Sequence, residues 1–358
     1  MSPIVIDGSI GEGGGQILRT ALLMSALLTL PVEIKNIRIK RKPKGLKKQH
    51  LGVIKALKYI TNAKVEGDYE GSTSLVFEPK TLKSGAYRIN LETAGSISLF
   101  FQTILPLSFF VPKRFLIAVK GGTDVENAPT VDWVQNVFLP LLKPLANGVS
   151  FRVIRRGFYP EGGGFVSLQV ESKLQYPLYG LDEIRTFARP HLKIEKNSQG
   201  RIEEIRGISV AHKHLQERKV AERQRLGAIE YIKEKLGRKA SISNFYLDAD
   251  CLGTSLTLWI TDDKGNILGS DSKGKKGKLA EIVGKEAAEQ LIEDWESGAT
   301  VDRHLADHII PILAIVGGTI KVPQFTSHLM TNIEVVKHFV GDIFEIDKSE
   351  RLVRATLK

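Results

Sequence analysis

The chain holds 358 residues, 42% hydrophobic and 25% charged, an ordinary globular composition with room for two or three domains or for one large domain carrying an insertion. Its 51 Lys and Arg against 40 Asp and Glu leave a formal charge of +11, which favours polyanionic partners such as nucleic acid or nucleotides. A single cysteine, Cys251, excludes an internal disulfide framework and a cysteine-ligated zinc site, and the lack of a long apolar span, signal peptide or acylation motif makes a cytoplasmic protein with no membrane partner the expectation.

The first predicted strand, PIVID, runs into the glycine-rich stretch DGSIGEGGGQILRT, residues 7–20. Glycine lets main-chain N–H groups approach an anion closely. A P-loop lysine is absent, however, and Gln16 stands where the dinucleotide fingerprint needs its third glycine, so a plain strand-to-helix turn and a phosphate-facing turn both stay open. The helix that follows, QILRTALLMSALL, is apolar nearly all round and is therefore expected to be buried. Gln16 and Arg19 share a face of it, and an arginine entering a buried helix is costly unless paired with a carboxylate or phosphate. Glu12, isolated among glycines, is free to ligate a hard cation such as Mg²⁺. After the strand VEIKNIRI, residues 35–50 bunch Arg38, Lys40, Arg41, Lys42, Lys44, Lys47 and Lys48 into a basic patch or groove edge. QHLGVIKALKYI then reads as an amphipathic helix with Leu51, Ile54 and Leu57 on one side.

A second segment repeats this layout: YRINLET, the apolar helix AGSISLFFQTILPLSFF, the strand RFLIAVKGGT, and PTVDWVQNVFLPLLKPL with Pro129 suited to a helix start. Gln102 lies among apolar residues and must find partners, from a ligand or from a neighbouring helix end. VSFRVIRRGFYPEGGGFVSLQVE predicts a hairpin. The next stretch carries a charged helix, QERKVAERQRLGAIEYIKEKL, the strands SISNFYLD and TSLTLWITD, and the basic loop DSKGKKGK, and it reads as an inserted α+β domain over residues 185–275. His212 and His214 in AHKHL have no accompanying acid or cysteine and read as incidental. The third segment follows as HLADHIIPILAIVGG, TIKVPQ, TNIEVVKHF, DIFEID and RLVRATL, which predicts an internal threefold repeat. His304, Asp307 and His308 share a face near its first helix start, where they either meet an anion or serve the helix end, with His304 as its cap. Repeats packed about one centre would gather these polar helix starts into one site.

Taken together, DGSIGEGGGQILRTAL, RKPKGLKKQHL, TAGSISLFFQTILP, GGTDVENAPTVD, GFYPEGGGFV, HLADHIIPI and TSHLMTN resemble the RNA 3'-terminal phosphate cyclase family, in family order over nearly the whole chain outside the insert. The resemblance implies an α+β fold: a large domain, residues 1–184 and 276–358, of three units with a four-stranded sheet and two helices each, and a smaller inserted α+β domain. It implies an enzyme that uses ATP and a divalent metal, Mg²⁺ or Mn²⁺, to turn an RNA 3'-phosphate into a 2',3'-cyclic phosphodiester through a covalent histidine–AMP. By the same match the nucleophile falls on His328 and the metal position on Glu12. ATP contacts fall on Gln102, Pro129 and the stretch His304, Leu305, Ala306, Asp307 and His308; phosphate and RNA contacts fall on Gln16, Arg19, Arg38, Arg41, Gln49 and His50. His304 and His308 stand where tyrosine and glutamine are frequent in the family, so both positions keep a hydrogen-bonding group. The competing reading is a cyclase-like relative that binds RNA in ribosome assembly without catalysis, and self-association is left open.

Overall fold

The computed structural model describes residues 2–357. Its first unit runs β1 (Ile4–Asp7), α1 (Gly15–Leu28), β2 (Val32–Lys35), α2 (Lys48–Thr61), β3 (Lys64–Glu66) and β4 (Leu75–Glu78), with sheet order β1-β2-β4-β3. The second runs β5 (Gly85–Asn90), α3 (Ile97–Ser108), β6 (Arg114–Gly121), α4 (Val131–Trp133), a π-helical turn over Val134–Phe138, α5 (Leu139–Leu142), β7 (Ala146–Arg155) and β8 (Gly164–Ser172), ordered β5-β6-β8-β7. In both sheets the first two strands pair parallel across a helix and the remaining pairs are antiparallel.

α1 lies at the centre, where every residue from Gln16 to Leu28 is buried and its neighbours are α2, α3 and α11 (Ser327–Val340). Its all-round apolar sequence requires such a position, since each leucine withdrawn from water contributes about 2 kcal/mol. α2 has only one apolar face: Ile54, Leu57 and Ile60 are buried, while Lys55, Lys58 and Tyr59 face solvent. α3 begins at Ser96, whose hydroxyl accepts the Leu99 N–H at 3.1 Å.

After α6 (Gly180–Ala188) comes a two-residue strand, β9 (Glu195–Lys196), which pairs parallel with β14 (Gly318–Lys321). Between them lie β10 (Ile202–His212), α7 (Val220–Leu236), β11 (Ser241–Leu247), β12 (Thr254–Asp262), β13 (Ile267–Lys273), α8 (Ala280–Glu296), α9 (Arg303–His308) and α10 (Ile310–Val316); β15 (Phe344–Asp347) and β16 (Leu352–Ala355) close the chain. The third sheet is ordered β15-β16-β14-β9, the first sheet's pattern with its first strand supplied before the insertion. The additional strands therefore interrupt the third unit between its first strand and first helix, where the sequence reading placed them between units.

The inserted strands form a fourth sheet, β11-β10-β12-β13, with its own core of Ile205, Ala228, Ile232, Leu256, Leu258, Ile260, Leu268, Leu291 and neighbours. The limits 185 and 275 do not match the change of packing. Ala188, Leu192 and Ile194 belong to the larger core, whereas α8, expected in the larger domain, packs against α7 and contributes Val283, Ala287 and Leu291 to the second core. α8 is apolar on the stripe that α7 and the inserted sheet cover, and that assignment needs the partner surface.

Candidate functional site

The turn after β1 carries Gly11 and Gly13 at φ +54° and +59°, which ordinary side chains rarely adopt, and it leaves Glu12 half-exposed on the outside of the bend. Two residues on, Gly15 opens α1 against α2. A Cβ there would sit 2.5 Å from His50 Nε2 and 3.1 Å from Arg19 Nη1, so glycine is what lets both donors reach the α1 N-terminus.

Arg19 is 8% exposed and donates from Nε to Gln102 Oε1 on α3 at 2.6 Å. No carboxylate pairs with it among the described residues. Burial pushes its pKa down to about 10, with the Arg38 charge adding to the effect. Gln102 thus finds its partner in another repeat, and the guanidinium keeps further donors free for an anion. His50 is buried at the start of α2, where its Nδ1 accepts the Lys47 N–H at 3.0 Å. The proton must then reside on Nε2, which has no partner among the described residues. Burial, then Arg19, Arg38 and Lys47, hold this imidazole at a pKa of about 3, so it is a neutral donor near pH 7.

His328 lies in the first turn of α11, whose start Thr326 caps by accepting the Leu329 N–H at 3.0 Å. Its Nδ1 is 3.6 Å from Asp307 Oδ2 and its Nε2 is 3.6 Å from Glu12 Oε2. The imidazole is half-exposed, and its pKa is raised above the ordinary 6.5, chiefly by Asp307 and then by Glu12, against the effect of burial. Thr326 Oγ1 donates to Asp307 Oδ1 at 3.2 Å, and Asn332 Nδ2 donates to the Asp307 carbonyl at 2.9 Å while its Oδ1 accepts from Thr20 on α1 at 2.8 Å. Gln16 Nε2 reaches the His328 carbonyl at 3.4 Å. Glu12 accepts from Arg41 Nη2 at 2.9 Å and from the Ser327 hydroxyl; the Ser327 bond, then His328 and Arg41, hold its carboxyl below the usual range.

The polar residues of three repeats therefore meet around the α1 and α11 N-termini. Some sequence-selected residues do not join them. Leu305 and Ala306 are each 2% exposed and pack into the apolar core, so their side chains stand apart from the polar cluster. Gln49 is half-buried and makes no side-chain hydrogen bond among the described residues. Arg38 folds onto its own loop, donating to the Gly45 and Pro43 carbonyls at 3.1 and 3.3 Å, and bears on the site through its charge. Pro129 is buried immediately before Thr130, the cap of α4.

His304 does not cap α9. That role belongs to Asp302, whose Oδ1 accepts the His304 and Leu305 N–H groups at 2.8 and 2.9 Å. Asp302 Oδ2 also accepts from Trp133 Nε1 at 3.2 Å and from the Gly269 N–H at 2.8 Å, tying α4, β13 and α9 together. Trp133 meets the His304 and His308 rings edge-on, with centroids 5.8 and 5.2 Å apart. His308 Nδ1 lies 2.6 Å from the His304 carbonyl, which makes it the protonated nitrogen and leaves Nε2 a buried acceptor without a partner among the described residues. Burial holds this imidazole at a pKa of about 3 as well. Sequence reasoning missed Asp302, Trp133, Asn332 and Ser327. Only Asp302 had a local signal, an aspartate directly before a helix.

Among the described residues, no group of three His, Cys, Asp or Glu side chains could hold a metal ion by itself. Mg²⁺ commonly takes one or two carboxylates plus substrate phosphates and water, and an accessible, ionised Glu12 is a hard oxygen donor that fits that mode.

The family model for RNA 3'-terminal phosphate cyclase matches residues 10–346. The chain is 42% identical over 344 residues to the RNA 3'-terminal phosphate cyclase of Pyrococcus abyssi, covering 96% of this chain and 95% of that one. Its counterpart from Pyrobaculum aerophilum is 42% identical over 338 residues, 94% and 92% of the two chains, and that from Ignicoccus hospitalis is 39% identical over 364 residues, 98% and 96%. No helix of the described residues is long and apolar enough to cross a membrane.

Proposed function

The chain belongs to the RNA 3'-terminal phosphate cyclase family, and from that premise we propose that it converts an RNA 3'-phosphate to a 2',3'-cyclic phosphodiester at the expense of ATP, with His328 as the nucleophile. The observation that carries the reading is the pairing of an accessible imidazole, held between Asp307 and Glu12, with a buried, carboxylate-free Arg19. A catalytic nucleophile and an anion-seeking cation stand on adjacent helices.

Asp307 beside Nδ1 favours the tautomer with its proton there, leaving the Nε2 lone pair to attack the α-phosphorus of ATP. An N–P bond forms, the bond to the bridging oxygen breaks, and pyrophosphate departs. An oxygen of the RNA 3'-phosphate then attacks the same phosphorus and releases the imidazole. Finally the vicinal 2'-hydroxyl attacks the activated 3'-phosphorus, losing its proton and expelling AMP. Arg19, the His50 Nε2–H and the N-terminal amides of α1 supply donors for phosphate oxygens, in a setting dry enough to strengthen them. Glu12 would hold Mg²⁺ or Mn²⁺, which supplies charge neutralisation on the phosphates. His304, the half-buried member of a ring cluster backed by the buried Trp133 and His308, offers an aromatic edge for the base. In the same reading, residues from about 197 to 299 form the inserted domain, set by where the second core begins and ends.

The test is to incubate the protein with Mg²⁺ and ATP labelled at the α-phosphate. Wild type is expected to yield an acid-labile, alkali-stable adduct that His328→Ala does not form. An RNA 3'-phosphate should become resistant to phosphatase only when ATP is present. Equal labelling of His328→Ala overturns the assignment of the nucleophile, and continued phosphatase sensitivity overturns the cyclase reading in favour of an RNA-binding relative.

A further inference from the structure

The basic loop of residues 274–279 takes no part in the site above. With the first turns of α7 and α8 it encloses a cavity of about 620 Å³. The two helices run parallel: Arg223 meets Glu281, and Tyr231 meets Glu289 eight residues further along each. They touch backbone to backbone, since a Cβ on Gly284 would fall 1.8 Å from the Gln224 carbonyl oxygen. Both positive helix ends thus open into one cavity, and neither N-cap residue, Lys219 or Leu279, supplies a capping side chain.

A second feature points to a ligand. Gln224 is fully buried and lines this cavity; its Oε1 accepts from Ser209 at 2.9 Å, and its Nε2 has no partner among the described residues. At α7 the Tyr246 hydroxyl takes the Ala221 N–H at 3.0 Å, but an unpaired buried donor beside two positive helix ends still calls for an acceptor, and an anion is the acceptor that all three favour. The surrounding charge agrees. Arg218, Lys275 and Lys276 line the cavity with no carboxylate in ion-pair reach among the described residues, while the nearby acids Glu281 and Glu286 are already held by Arg223 and Lys278.

The location names the source of the anion. Lys273, the last residue of β13, donates to the Ala128 carbonyl at 2.5 Å, directly beside Pro129. Lys275 and Lys276 follow two and three residues later, within about 11 Å of Lys273 along an extended chain. The loop that lines the cavity therefore starts beside Pro129, one of the proposed nucleotide contacts.

We propose that this cavity is a second phosphate site, which takes a backbone phosphodiester of the RNA strand upstream of the end presented to His328. The proposal rests on the RNA substrate proposed above. Full-length protein is titrated with a fluorescent single-stranded RNA of about a dozen nucleotides ending in a 3'-phosphate, over a salt series, and assayed in parallel for cyclisation of a dinucleotide 3'-phosphate. The double variant K275Q/K276Q should bind the long RNA about tenfold more weakly at ~0.1 M salt, with the log–log salt slope reduced by about 0.7 for each phosphate no longer neutralised. Dinucleotide cyclisation should be unchanged. Gln224→Leu, which preserves volume, should weaken long-RNA binding several-fold with an unaltered thermal midpoint. An unchanged affinity and salt slope in both variants overturns the proposal, as does an equal loss on the dinucleotide. A deficit confined to inorganic phosphate, with RNA binding intact, assigns the cavity to a free anion and also overturns it. Should wild type bind long RNA and show the variant deficit yet form no AMP adduct, the second site stands and the catalytic reading falls.

Discussion

Arg19 illustrates how a residue can be costly for folding and useful for chemistry. It is buried with one neutral acceptor, Gln102, so its charge is poorly compensated until an anion arrives. Arg19→Met is expected to leave the thermal midpoint unchanged or raise it, while reducing AMP labelling by about a hundredfold or more; a fall in the midpoint with labelling intact contradicts this. His50 and His308 act oppositely with pH. Each titrates at 6.5 in the unfolded chain but near 3 when folded, so between these values the unfolded state binds more protons and stability falls as pH drops below 6.5. From pH 6.5 to about 5 the loss is about 1.6 kcal/mol for each, or about 3 kcal/mol together. Urea midpoints at the two pH values should show it, and His308→Gln should remove about half; a variant as acid-sensitive as wild type rules out this origin. The His328 pKa moves upward instead, and below it the nucleophile is cationic. Single-turnover labelling should therefore rise with pH through a value above 6.5, and Asp307→Asn should move that rise to lower pH.

Among the elements, α9 shows what local pattern reveals and what it conceals. Its helical character and the clustering of His304, Asp307 and His308 on it follow from spacing, but its cap is a four-donor node. Asp302→Ala would strand the N–H groups of His304, Leu305, Gly269 and Trp133 Nε1, each costing about 1–3 kcal/mol where water cannot enter. A loss of at least about 3 kcal/mol in denaturant unfolding is expected, and a loss below about 1 kcal/mol would remove Asp302 as the node joining α4, β13 and α9. The sequence reading assigned the cap to His304 although an aspartate directly before a helix is itself a cap signal, and the tie of Asp302 to Trp133 had no local sign, because 169 residues separate the two. β9 is illegible for a related reason. Two residues carry no periodicity, and Glu195 and Lys196 become a strand only because β14 offers them an edge.

Across the whole molecule, three sheets surround one helical core, and α1 brings residues of the first repeat against α3 of the second and α11 of the third. The excess of positive charge acts at this scale, so affinity for 3'-phosphate RNA should decline linearly on a log–log salt plot; a flat response would count against ionic recognition. The sequence by itself determined the threefold layout, the burial of α1 and α3, the presence of an insertion and the glycine turn that exposes Glu12, because hydrophobic period and backbone permissiveness are local properties. It also selected Gln16, Arg19, Gln102 and Asp307 from separate segments, and the family resemblance added His328. Only the tertiary structure decided that these five meet, that Arg19 bonds Gln102, that Leu305 and Ala306 turn away, that α8 belongs with the inserted sheet and that α7 and α8 aim their starts into one basic cavity. Each of those facts is a distance between segments remote in the chain, set by packing many apolar faces at once.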